Sequence, residues 1–192
     1  MGKKKNRQSQ VTSKESDGKT KILTGLLMKS TFDGNVTDAK KWIQQGANVH
    51  EKFKFDSKLN LMYFVTMKAV FDGKKELSDG QIEIFKILIE KGVDINNANY
   101  VEMPGDTSTF SPLIHLAVVY GYANLVRLLL DHGVDVSYKI GHTLTLLHLV
   151  AREGRNNKDN FKIAEMLISV ALLIVCLFVG SDTSGGELKQ KF

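Results

Sequence analysis

The stretch "GYANLVRLLLDHGVDV" (121–136) places apolar residues at Ala123, Val126, Leu129 and Leu130, then Gly133, then a short close, "GVDV". Spacings of 3, 3 and 1 put those four residues on one face of a helix with 3.6 residues per turn. A glycine just beyond is a helix stop, because a left-handed backbone costs least without a β-carbon. The layout recurs. "GNVTDAKKWIQQGANV" (34–49) offers Val36, Ala39, Trp42 and Ile43 before Gly46, and "GQIEIFKILIEKGVDI" (80–95) offers Ile82, Phe85, Leu88 and Ile89 before Gly92. A fourth stretch, "DNFKIAEMLISVALLI" (159–174), starts the pattern with Phe161, Ala164, Leu167 and Ile168, then has Ala171 in place of the glycine.

Each such helix has a shorter apolar partner upstream. The clearest are "PLIHLAVVYG" (112–121) and "TLLHLVAREG" (145–154), in which His115 and His148 stand 33 residues apart, as do Gly121 and Gly154. "GLLMKSTFDG" (25–34) and "NLMYFVTMKA" (60–69) are weaker versions. The unit is therefore helix, tight turn, helix, glycine stop and an extended close bearing Asp or Asn. In period and grammar it resembles the ankyrin repeat. Four copies span 22–171, at approximately 22–55, 56–103, 104–141 and 142–171, with the last cut short. The resemblance implies an all-α solenoid of stacked helix-turn-helix units with extended hairpin loops. It also implies structural roles for Gly46, Gly92, Gly133, His115, Thr145 and His148. Pro112 replaces the usual threonine in the third copy, and Met28 and Tyr63 replace the histidine in the first two.

Insertions fall between the repeated segments. About eleven extra residues surround "VFDGKKELSDG" (70–80), about eight enlarge "NNANYVEMPGDTSTF" (96–110), and about five lie in "GRNNKDN" (154–160). All three are expected to be loops, where closure entropy grows slowly with length.

The chain has 192 residues and a formal charge of +5. Residues 1–21 carry seven basic and two acidic side chains, so the remainder sums to zero. A polar leader of this kind is expected to be disordered, and its "KKKNR" suits a nuclear-import signal or a weak contact with nucleic acid. With no apolar stretch after Met1 and a single cysteine, Cys176, the expected location is the cytoplasm, with the nucleus as a second address. From Met166 to Val179 only Ser169 is polar, making 14 residues with an apolar character. As a helix they reach about 21 Å, short of the roughly 30 Å hydrocarbon core, so no membrane span is expected. Residues 172–192 are read as an apolar run with a polar tail. The interrupted fourth unit suggests a shortened form of a longer array.

No nucleophile–base pair, paired carboxylates, phosphate loop or zinc spacing survives inspection, so no catalytic residue, cofactor or metal is expected. The resemblance implies a non-enzymatic module that binds a protein partner through its loops and first helices. The alternative is a regulatory or substrate-recruiting part of a larger enzyme. Candidate anchors are Phe53 and Phe55 in "EKFKF", Tyr100, Met103 and Phe110 in the long loop, and Tyr138 with Lys139. Trp42 reads as packing. "LIEKGVDIN" (88–96) has the leucine-to-asparagine spacing of ankyrin asparagines that a cytosolic oxygenase hydroxylates, which makes Asn96 a modification candidate.

Overall fold

A computed structural model describes residues 3–55, 57–96, 99–103, 106–137, 145–153 and 158–181. Among them are four helix pairs: α1 (Lys3–Asp33) with α2 (Val36–Gln44), α3 (Leu61–Phe71) with α4 (Asp79–Glu90), α5 (Leu113–Val119) with α6 (Ala123–Asp131), and α7 (Leu146–Glu153) with α8 (Lys158–Ser181). The first members form an inner row in which α1 touches α3, α3 touches α5 and α5 touches α7. The second members form an outer row, α2 to α4 to α6 to α8. The array is thus an all-α repeat solenoid.

Two antiparallel hairpins project between units. Strand β1 (Phe53–Phe55) pairs with β2 (Ser57–Leu59), and β3 (Asn99–Met103) pairs with β4 (Asp106–Ser111), with β2 beside β3. The second hairpin replaces the open loop expected over 96–110. Its register sets Tyr100 opposite Phe110 and Val101 opposite Thr109, with an irregularity between Val101 and Met103.

The helix ends follow from local chemistry. Asn35, Asn60 and Ser78 cap α2, α3 and α4 by accepting the backbone N–H three residues on, and Ser78 forms a reciprocal box with Gln81. At the other end of α2, the Ala47 N–H donates to the Trp42 carbonyl (3.0 Å) and the Gly46 N–H to that of Ile43 (3.1 Å), with Gly46 at φ +98°. The same paired bonds close α4 at Gly92 and α6 at Gly133.

The core is continuous. Leu27, Met62, Ile114 and Leu149 from the inner row meet Ala39, Phe85, Val126 and Ile163 from the outer row. One repeat cannot bury its own apolar face, so each depends on its neighbours. The closest approach is between backbones: a β-carbon on Gly80 would lie against the carbonyl oxygen of Gly34, in the turn joining α1 to α2.

Two expectations need correction. The leader, expected to be disordered, belongs to the 31-residue helix α1. No proline occurs in 1–33, and once Leu23 and Leu27 are packed the helix propagates backwards without a new nucleus. With neither glycine nor proline at Ala171, where the first three units have their glycine stop, α8 runs on to Ser181. The insertion around 70–80 is not wholly loop, because α3 has 11 residues where α5 has 7, leaving a connection over 72–78.

Candidate interaction surface

The inner row presents its side chains in order. On α3, Phe64, Met67 and Phe71 stand at i, i+3 and i+7, hence on one face. Phe64 meets Phe32 of α1 edge-on at 5.7 Å between ring centroids, and Phe53 of β1 stacks on it at 5.4 Å. Val119 of α5 is half-buried and Tyr120, its C-cap, is exposed. Phe71, at the end of the lengthened α3, is 79% exposed. The inner face is therefore an apolar strip, packed at the Phe64 end and open at Phe71 and Tyr120.

Beside the strip, a groove of about 420 Å³ lies between α1 and α3. Met28, Phe32, Val65 and Ala69 supply apolar walls, and Lys29, Asp33, Lys68, Asp72 and Lys74 supply charge. Lys68 Nζ holds both oxygens of Asp72, at 2.6 and 2.9 Å. An apolar floor with a mixed polar rim suits a side chain of another protein better than a small anion.

Polar side chains fix the connections that carry this surface. Tyr122 Oη donates to the Lys74 carbonyl (2.9 Å) and Asn124 Nδ2 to that of Leu77 (2.7 Å), so α6 and its N-cap pin the 72–78 connection. Burial, then the neighbouring Tyr120, pushes the Tyr122 phenol above its ordinary pKa, so it stays a donor. Asn60 accepts from the Tyr63 N–H (2.9 Å) and donates to the Asp94 carbonyl (3.0 Å), tying α3 to the close that follows α4. Gln81 Nε2 reaches the Phe32 carbonyl (3.0 Å). No repeat signature in the sequence names Asn60, Tyr122 or Asn124. The apolar end of α3 at Phe71, next to an insertion, was the one available signal for the open strip.

The sequence-based candidates divide. Phe53 is half-buried under its own hairpin, because the register pairs it with the buried Leu59. Its ring stacks on Phe64. For Phe55, Tyr100, Met103 and Phe110 the backbone is described, in β1, β3 and β4; Tyr138 and Lys139 lie outside the described residues. His115 is fully buried in α5. His148 sits on α7 with its Nδ1 2.8 Å from Thr145 Oγ1, a contact internal to the helix start. Trp42 is half-buried against the core, with the Lys41 ammonium 4.6 Å from its ring centroid.

Asn96 has a structural task. Its N–H donates to Asp94 Oδ1 (2.9 Å) and its Oδ1 accepts the Asp135 N–H (2.8 Å), joining the closes of the second and third units. Asp135 in turn accepts from the Ser137 hydroxyl (2.6 Å) and N–H (2.8 Å), and these bonds hold its carboxyl below the ordinary range.

Among the described residues, no group of three His, Cys, Asp or Glu side chains is placed to hold a metal ion, and no helix is long and apolar enough to cross a membrane. Comparison with curated proteins returns no match. The family description "Ankyrin repeats (3 copies)" matches residues 26–140 and, in a second register, 78–172. Together these run from the C-terminal part of α1 to the middle of α8, and the chain belongs to the ankyrin-repeat family.

Proposed function

We propose that this protein binds a partner protein along the inner-helix strip, with the hairpins as flanking contacts. Ankyrin repeats are generally protein-interaction modules, and the fold is typically non-enzymatic. The observation that carries the proposal is Phe71: a large aromatic, 79% exposed, on the face it shares with Phe64 and Met67. Exposed aromatics beside a formed groove are the usual anchors of an interface. The partner offers an apolar side chain to the groove between α1 and α3.

The test is affinity capture with the wild type, with Phe71→Ser/Tyr120→Ser, and with an outer-row control, Lys86→Ser. The strip variant loses the captured partner, and the control keeps it. Both side chains are exposed, so thermal unfolding should shift by no more than about 0.5 kcal/mol. Identical captures by all three proteins overturn the proposal. Asn96 is proposed as a hydroxylation acceptor on the resemblance alone; an intact mass unchanged after treatment with such an oxygenase removes it.

A further inference from the structure

The groove between α1 and α3 carries more charge than an apolar side chain needs. Three ammonium groups and two carboxylates line it. Lys68 and Asp72 neutralise each other, with the ammonium on both carboxylate oxygens. Lys29 and Lys74 are exposed, and neither forms an ion pair among the described residues. Asp33 stands one turn beyond Lys29 and is not paired with it. The rim therefore keeps one positive charge in excess, with two cations open to a partner.

Backbone chemistry places Lys74 there. Helix α3 closes at Gly73 (φ +67°), whose N–H donates to the Val70 carbonyl (3.0 Å), while the Lys74 N–H donates to that of Ala69 (3.0 Å). The residue after such a glycine commonly packs against the helix it closes. Ala47, Val93 and Val134, in that place after α2, α4 and α6, are all buried. Lys74 is exposed instead, and Tyr122 Oη donates to its carbonyl (2.9 Å). An ammonium thus stands where a packing contact is the rule, on backbone fixed from both sides, at the wall of an apolar groove.

We infer that the groove takes an acidic–apolar segment of a partner protein. An apolar side chain enters between Met28, Phe32, Val65 and Ala69, and a neighbouring Asp or Glu carboxylate lies against Lys29 and Lys74. The inference rests on the inner-strip reading above and names the chemistry of its ligand. Charge complementarity selects this occupant. A cationic segment would meet the two open ammonium groups, and like charges brought together cost affinity. A free anion such as phosphate would leave the apolar floor uncovered. The ion pairs sit at the wet rim, so they act on partner choice and association rate, and they weaken as salt rises.

The test uses the full chain as bait for a displayed library of random peptides, beside Lys29→Glu/Lys74→Glu and Phe71→Ser/Tyr120→Ser. The wild type enriches peptides with Asp or Glu close to Leu, Met or Phe. The charge variant keeps the apolar preference and exchanges the acidic one for Lys or Arg. A synthetic copy of the most enriched wild-type peptide binds the charge variant about tenfold more weakly at low salt. Lys29→Gln/Lys74→Gln gives a smaller loss in the same direction and serves if circular dichroism shows that the reversal disturbs the fold. Apolar peptides without an acidic preference, lost by the Phe71→Ser/Tyr120→Ser variant, uphold the strip and overturn the inference. So does an acidic preference that the charge variant keeps. No enrichment by the wild type overturns both.

Discussion

The third and fourth units share a design and differ in company. In the third, α5 and α6 lie between neighbours, and Ile114, Ala117, Val126 and Leu129 are all sealed. In the fourth, α7 and α8 have a neighbour on one side among the described residues, and Leu147, at the place that matches Ile114, is 40% exposed. Burial in a stacked array is therefore a property of the interface, not of the repeat. Apolar residues in equivalent positions contribute very different amounts to stability, according to what lies over them.

The contrast is easiest to sharpen where an interior junction is tightest. Gly80→Ala drives a β-carbon into the Gly34 carbonyl, a backbone atom that cannot rotate away. We expect a loss of about 3 kcal/mol in denaturant unfolding. Next is the direct pair. Ile114→Ala should cost about 3 kcal/mol, as a fully buried truncation that leaves a cavity, and Leu147→Ala under about 1 kcal/mol. Equal costs for the two would break the comparison.

Smaller effects report on the polar ties between units. Asn60→Ala removes a helix cap and an inter-unit bond to the Asp94 carbonyl, and should cost about 1.5 kcal/mol. Tyr122→Phe deletes only the bond to the Lys74 carbonyl, at about 1 kcal/mol, and should speed hydrogen exchange in the 72–78 connection. The smallest effect is acid-dependent. Because the folded pKa of Asp135 lies below its unfolded value, its contribution is fully present above the ordinary carboxylate pKa of about 4 and disappears as pH falls through the lowered value. The group is well solvated, so the gain stays under about 0.5 kcal/mol. A proton titration followed by NMR should show Ser137→Ala raising the Asp135 pKa.

Much of the scaffold was legible from residue spacing. The four helix pairs and the stops at Gly46, Gly92 and Gly133 all follow from short-range rules. Short-range reasoning failed where a helix extended beyond its repeat. The leader reads as polar and unstructured, yet α1 incorporates it. Helix propagation from a packed segment depends on the packing, which composition does not report. The interaction surface was legible only in outline. The first helices were identified as its bed, but Phe71 was absorbed into an insertion, and the stacking of Phe53 on Phe64 is a contact that residue spacing does not report.

The sequence by itself determined the local program: which residues share a helix face, where each helix stops and how often the unit repeats. Backbone geometry and apolar periodicity act within a few residues, so no distant contact is needed to read them. Only the tertiary structure decided which of those faces are covered, that Asn60, Tyr122 and Asn124 are the ties between units, and that Phe71 remains open. Those outcomes depend on residues 34 to 48 positions apart being brought together, a separation over which residue patterns carry no signal.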